Sequence, residues 1–439
     1  MAEVDKILKY AEERGAQEAE VISECSTFKY AKFELGEPKR LTQGKITELA
    51  LRVVVDGSVG FSYFTGAWEN AVKEAVSLAR TGEKDEKWHT FASDKKGPSL
   101  NLFRKSVENV SFEQLISDIR ETGKAAQDEK IVASTIDCQL GYSTLEIANS
   151  SGISKAEKTS LVLLRIMCRA ADTDYGMGYS HHYSLDYDVD FQNAGETAKE
   201  EALSQLGRQK TESGDREIIF SPQVFSSLLV NAAMPSFLGH NVAEGRSALA
   251  IGQKVASESV VIAENPLVEN PQGRSFDDEG VPSRAVDIIK NARVEAFLYD
   301  NYYGETTSNG IRYARYRGKS LRDPPRPSAT SLVVGGESSS LDTLISEVKD
   351  GLLVMDETNS HASKAQSGLF SIAVTSGFII KNGEISAPVK SCMVSGLAFE
   401  DLLPNVIAIS KERQLTRSAV YPTFVESGHV LVGSIRVTA

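Results

Sequence analysis

The chain holds six histidines and four cysteines, and their spacing decides which metal or nucleophile chemistry is open to it. His240 lies in residues 231–247, "NAAMPSFLGHNVAEGRS", where the helical pattern of "QVFSSLLVNAAM" runs out into a polar loop. A catalytic zinc takes three protein ligands and leaves one position for water. The ten residues ending at His240 contain no glutamate and no second histidine, so this helix cannot supply that set. His240 and Glu244 are one helical turn apart, the spacing of a two-ligand cluster, but Gly239 reads as the end of the helix. A loop or packing histidine is the expectation there.

Three other stretches bring reactive groups together. In "SFDDEG", Asp277, Asp278 and Glu279 offer oxygen ligands for a divalent cation. Consecutive side chains diverge and Gly280 marks a turn, which favours a solvated acidic turn. In "SHHYSLDYDVD", a strand would put Asp186, Asp188 and Asp190 on one face, beside His181 and His182. Alternation with Leu185, Tyr187 and Val189 is also what a half-exposed strand gives, and that plainer reading is preferred. "GIRYARYRGKSLRDPPRPS" gathers Arg312, Arg315, Arg317, Lys319, Arg322 and Arg326 around Tyr313 and Tyr316. Interleaved arginine and tyrosine suit stacking on single-stranded nucleic acid, and equally a subunit interface or a loop over a peptide cleft. The net charge of −12 repels a phosphate backbone and favours interface or cleft. No G-x-S-x-G elbow, Walker A loop or G-x-G-x-x-G occurs. The four cysteines lack C-x-x-C spacing and read as buried free thiols.

These residues must be positioned by a chain of 439 residues, long enough for two or three domains. No apolar run approaches the length of a membrane span and the charged first residues do not resemble a secretory signal, so a cytoplasmic protein is expected. "VDKILKYAEERGA" places Val4, Ile7, Leu8 and Ala11 on one helical face, with Gly15 placed to end the helix. "ITELALRVVVDGSVGFSYFTG" reads as two strands joined at Asp56-Gly57. A helical "AWENAVKEAVSLART" follows, and the order then recurs. Ser111 and Gln114 make a capping-box signature, strands follow, and "AGETAKEEALSQLG" closes with a helix. The polar stretches "TGEKDEKWHTFASDKKGPS" and "GRQKTESGD" read as linkers. Beyond "REIIFSP" the chain is mostly strand, with Asn382-Gly383 as its strongest hairpin signal. The expected fold is α+β. Two helix-strands-helix units, 1–105 and 106–210, precede a β-rich C-terminal domain, 211–439.

"SFDDEGVPSRAVDIIKNARVEAFLYD", "GFIIKNGEISAPVKSCMVSGLAFEDLL" and "TQGKITELALRVVVDGSVGFSYF" resemble the TldD/PmbA family, once named for modulation of DNA gyrase. The resemblance implies a heterodimeric metallopeptidase with two subunit types of similar fold. The TldD type carries H-E-x-x-x-H on a helix and a later cysteine, and the TldE (PmbA) type lacks them. Laid on that motif, this chain has Pro235 for the first histidine, Ser236 for the glutamate and only His240 in place, and no cysteine follows Cys392. The resemblance therefore implies a TldE-type subunit without an active site or metal of its own, zinc being held by a TldD-type partner. Peptides or unfolded segments are the implied substrate, and a homodimer is compatible with the shared fold. His240, Arg312, Arg315 and Arg317 are the implied substrate or partner surface. The alternative is a regulatory protein that acts on a nucleic-acid enzyme through residues 312–327. An independent hydrolase built on Asp277, Asp278 or Glu279 has the least support.

Overall fold

The computed structural model describes residues 2–304, 307–312, 321–336, 338–364, 366–418 and 423–439. The fold is α+β, with the helices concentrated in the N-terminal half. In chain order the N-terminal elements are α1 (Ala2–Glu13), β1 (Glu18–Glu34), β2 (Glu37–Val55), β3 (Ser58–Phe64), α2 (Glu69–Thr81), α3 (Lys105–Asn109), α4 (Phe112–Ala125), β4 (Ile131–Asn149), β5 (Ser154–Ala171), β6 (Tyr175–Ser184) and α5 (Phe191–Ser204). α1 buries Val4, Ile7 and Ala11 completely, and Gly15 follows it at φ 98°. Ser111 caps α4 by accepting the N–H of Gln114 at 3.0 Å. The Gln114 side chain reaches forward to Asp118 instead of closing the box.

The two helix-strands-helix units share one antiparallel sheet, ordered β3-β2-β1-β4-β5-β6. β1 and β4 join them over a continuous register from Glu20↔Asn149 to Glu34↔Thr135. Strand periodicity sends Ala19, Val21, Leu51 and Val53 toward one pair of helices, and Phe33, Cys138, Leu140, Val162 and Leu164 toward the other. The repeat is visible in the outer strands. A Cβ at Gly60 on β3 would stand 2.0 Å from the Ala75 carbonyl of α2, and one at Gly178 on β6 would stand 2.2 Å from the Ala198 carbonyl of α5. Each closing helix thus lies directly on its strand's backbone. The stretch after α2 is irregular, yet Phe91 and Ala92 are buried, so it is packed rather than loose.

The C-terminal half contributes β7 (Gly214–Phe220), α6 (Pro222–Leu228), α7 (Gly239–Ala243), β8 (Val261–Glu264), β9 (Val286–Lys290), β10 (Arg293–Val294), β11 (Gly310–Ile311), β12 (Arg326–Pro327), β13 (Ser331–Gly335), β14 (Ser338–Ser339), α8 (Leu341–Glu347), β15 (Asp350–Thr358), β16 (Leu369–Lys381), β17 (Glu384–Pro388), β18 (Met393–Leu397), β19 (Val406–Ser410), β20 (Gln414–Arg417), β21 (Phe424–Ser427) and β22 (Val430–Thr438). β7 pairs with both β15 and β22, so β7-β15-β16-β18-β22 closes on itself. A second sheet runs β10-β9-β8-β13-β21-β20. One large apolar core fills the space between them. The β16–β17 hairpin turns at Asn382 (φ 50°) and Gly383 (φ 81°), as the dipeptide demands. Among the described residues no helix is long and apolar enough to cross a membrane.

The C-terminal domain packs on the N-terminal sheet through two apolar clusters among the described residues. Ile22, Ala50 and Ile147 pack on Phe276, Val281 and Leu321 at one end, and Leu161, Leu163 and Tyr183 pack on Phe424 and Leu415 farther along.

Candidate functional site

The helix that precedes His240 runs through the middle of the C-terminal core. Ser221 caps it, accepting the N–H of Val224 at 3.3 Å and donating to the Met355 carbonyl at 2.7 Å, and Pro222 occupies its first turn. Every residue from Val224 to Phe237 is buried, as expected of a helix apolar on all sides. Pro235 has no N–H for the Asn231 carbonyl four residues back. The backbone there widens into a π turn at Leu229–Ala233 and then tightens to 3-10 over Met234–Phe237.

Leu238 is extended (φ −85°, ψ 125°) and bridges to Leu298, and Gly239 donates to the Leu298 carbonyl at 2.7 Å. A Cβ on Gly239 would meet the Tyr299 ring at 2.1 Å. The long helical run ends at Phe237, close to the expected Gly239, and Gly239 opens a separate short helix, α7, which carries His240. Glu244 sits one turn on, paired with Arg246 at 2.6 Å and receiving the Tyr303 hydroxyl at 3.2 Å. It is not available as a second ligand. The His240 ring is half-buried 6.1 Å from that of Tyr303, and its Nδ1 has no partner among the described residues. Burial, then the charge of Arg246, holds its pKa below the usual imidazole value, so the ring is neutral.

The acidic turn overturns its sequence reading. Asp277, Asp278 and Glu279 are 0, 2 and 1% exposed. Asp277 accepts the N–H groups of Glu279 and Val281 at 2.9 Å each and of Gly310 at 3.0 Å. Asp278 accepts the N–H of Arg312 at 2.7 Å. Glu279 accepts the Asn301 N–H at 2.8 Å and pairs with Arg52 at 3.0 Å. Arg52 also donates two hydrogen bonds to Glu20 at 2.9 Å each, which ties the first N-terminal unit to this turn. Burial raises Asp277 well above the usual carboxylate range, with Glu279 adding to the effect. Burial and then Glu279 push Asp300 up to about 7. Divalent-cation binding has no support here, because these oxygens already hold backbone N–H groups and an arginine.

Arg312 is corrected in the same way. It is 1% exposed, donates to Glu20 at 3.1 Å and to the Asp323 carbonyl at 3.1 Å, and burial brings its pKa down to about 10. It is part of the core of the joint and not of a basic surface. Arg315 and Arg317 lie outside the described residues. Arg322 and Arg326 are exposed, with the Arg322 guanidinium 5.4 Å from the Tyr63 ring.

The three aspartates after β6 also part company. The strand stops at Ser184, so no shared face exists. Asp186 accepts the Ser106 hydroxyl, Asp188 pairs with His182 at 2.9 Å, and Asp190 caps α5 by accepting the Asn193 N–H at 3.0 Å. His181 is held neutral, its pKa lowered by burial to about 4. Cys138, Cys168 and Cys392 are buried free thiols, pushed up by burial to about 12, 11 and 11, which leaves them inert.

Family comparison accounts for nearly all of this architecture. Profiles described as PmbA/TldA metallopeptidase domain 1, central domain and C-terminal domain match residues 19–79, 105–206 and 213–439. The chain belongs to the PmbA/TldD metallopeptidase family. A metalloprotease PmbA homolog of Haemophilus influenzae is 22% identical over 410 residues, 87% of this chain and 86% of that protein. A zinc metalloprotease TldD homolog of Saccharolobus solfataricus is 22% identical over 365 residues, 81% of this chain and 75% of that one. The crystal structure of TldE from Thermococcus kodakarensis superposes with a TM-score of 0.88 at 20% identity, covering 99% of both chains.

Within the PmbA/TldD family the helix geometry bears on the motif's frame. The outer histidines of H-E-x-x-x-H are five residues apart, which on an α-helix leaves them roughly 140° apart around the axis. An i→i+5 turn brings such a pair one above the other. A frame at Val230, Asn231 and Pro235 spans the π turn at Leu229–Ala233, but that turn closes with the Met234 N–H on the Leu229 carbonyl and ends before Pro235. The frame at Pro235, Ser236 and His240 is instead interrupted by extended Leu238. Asn231 donates to the Ser227 carbonyl at 2.9 Å and to the Ser360 hydroxyl at 3.3 Å. In neither frame do the residues fit zinc: valine, proline and serine side chains replace imidazole and carboxylate, and the amide of Asn231 is spent on neighbours. Among the described residues no three His, Cys, Asp or Glu side chains are grouped to hold a metal.

Sequence reasoning missed the charged joint. Its signal is Arg52 inside the apolar run "LALRVVV", since a strand arginine flanked by buried residues needs a buried acid.

Proposed function

We propose that this chain is a TldE/PmbA-type, metal-free subunit of a cytoplasmic TldD/TldE metallopeptidase. The observation that carries the reading is the donor set on the π-turned helix and on α7 just after it. Val230, Asn231 and Pro235, or Pro235, Ser236 and His240, replace the two histidines and the base that such a peptidase needs. A TldD-type partner supplies zinc, glutamate and the attacking water, and the assembled pair cleaves peptides or unfolded segments. This chain contributes enclosing surface, for which a cavity of about 570 Å³ on the face of the N-terminal sheet opposite its helices is a candidate. Phe28, Tyr30, Ile46 and Leu161 give it apolar walls, with Arg40 and Glu48 among its polar groups. The regulatory reading through residues 312–327 loses Arg312, which is buried in the joint. The test is zinc content and peptide hydrolysis of the purified chain, alone and with its cognate TldD-type protein. Chelator-sensitive hydrolysis by the mixture only is expected, and stoichiometric zinc with hydrolysis by the isolated chain overturns the reading.

A further inference from the structure

The second N-terminal unit rests on the C-terminal domain through α5 and β6 against β15 and β16. From α5, Glu201 accepts the Tyr179 N–H at 2.8 Å and the Ser376 hydroxyl of β16 at 3.1 Å. Gln205, fully buried one turn on, accepts the Gly377 N–H at 3.0 Å, and its Nε2 has no partner among the described residues. From β15, Asp356 accepts the Thr375 hydroxyl at 3.0 Å. The groups acting on Glu201 are Tyr179, Ser376 and Asp356, and those acting on Asp356 are Thr375, Glu357 and the Tyr179 phenol. Every charged group among them is a carboxylate. Lys199, on the same helix, acts instead on Cys168.

We propose that this contact is a proton-dependent joint between the central unit and the C-terminal domain, firm while the Glu201–Asp356 pair retains a proton and loosened when both are ionised. Two carboxylates in one part-buried site without a cation repel, and only neutralisation of one removes the penalty. Burial raises Glu201 to about 7 and Asp356 to about 6, so the change falls in the physiological range. The sign follows from linkage. A carboxyl whose pKa is higher folded than unfolded binds more protons in the folded state, so its contribution declines as pH rises from about the unfolded value to the folded one. The window runs from about pH 4 to about pH 7, and above it the loss is complete.

The experiment compares thermal unfolding of the full chain and the double variant Glu201→Gln/Asp356→Asn at pH 5 and pH 8. The wild type should lose Tm between the two, and the variant should match it at pH 5 and lose less by pH 8, the remainder including Asp300, which both proteins keep. Equal losses in both proteins overturn the proposal, as does a variant stabilised or destabilised alike at both pH values. Carboxyl ¹³C titration of the wild type is independent of how the variant folds. Midpoints of Glu201 and Asp356 raised above ordinary carboxylates support the joint, and midpoints at ordinary values overturn it.

Discussion

The C-terminal domain is attached to the two N-terminal units by joints of opposite electrostatic design. At the first, Arg52 bridges Glu20 and Glu279 and Arg312 pairs with Glu20, all nearly inaccessible to water, and the other Glu279 oxygen accepts the Asn301 N–H. At the second, Glu201 and Asp356 accept hydroxyls and one N–H, and the charged groups acting on them are carboxylates. The halves of one repeated architecture have thus been joined to the same domain once around buried arginines, with Asp300 beside them also raised to about 7, and once where the charged groups acting on the carboxylates are themselves carboxylates. A matched buried pair is expensive to break, because the survivor remains charged and desolvated. An unmatched pair is adjustable, because a proton can enter or leave. The first joint therefore fixes the segment from Asp277 to Arg312, and the second makes the seating of the central unit follow pH.

The largest effect expected is at the matched joint. Arg52→Ala leaves Glu20 and Glu279 without their shared guanidinium, and a loss of about 3–5 kcal/mol is expected in urea denaturation. A loss below about 1 kcal/mol would show that this joint is not closed as described. Next comes Asp277→Ala, which strips three backbone N–H groups of their acceptor and should cost at least the roughly 1–3 kcal/mol of one unsatisfied buried group. Its measurement is the same denaturation series, and a neutral result would place Asp277 outside the clamp.

Two smaller effects sharpen the contrast in pH response. His181 and His429 are held neutral by burial at about 4 against the usual 6.5. Their contribution is present above about pH 6.5 and lost as pH falls toward 4, opposite in sign to that of Glu201 and Asp356. His429→Phe should narrow the Tm difference between pH 7 and pH 4.5, and an unchanged difference would remove His429 from this account. The smallest effect is at His240. It is half-buried with an unpaired Nδ1, and His240→Ala should shift stability by less than about 1 kcal/mol. A collapse of the fold would mean the ring does more structural work than its contacts suggest.

What the sequence made legible was local. Asp56-Gly57 and Asn382-Gly383 take positive φ at the turns they predict, and α1 buries the face that its spacing marks. The α+β class follows from the same patterns. The acidic turn shows where local reasoning stops. The diverging directions of Asp277, Asp278 and Glu279 are real, since each goes to different partners. Those partners, the Gly310 N–H and Arg52, lie 33 and 227 residues away, and only tertiary folding reveals that the turn is buried. The aspartates after β6 failed for another reason. Leu185 and Asp186 follow the last strand residue, so alternation continued in the sequence after the strand itself had ended. The π turn left one trace, Pro235, whose missing N–H disturbs the helix ladder but does not say in which direction.

The central claim is that this polypeptide carries the fold of a PmbA/TldD peptidase without its catalytic ion. Its most direct test is metal analysis of the purified chain after zinc loading and desalting, with peptide hydrolysis measured on the same sample. The account predicts substoichiometric zinc and no cleavage until a TldD-type subunit is added. One tightly held zinc per chain, with hydrolysis that a chelator abolishes, would contradict it.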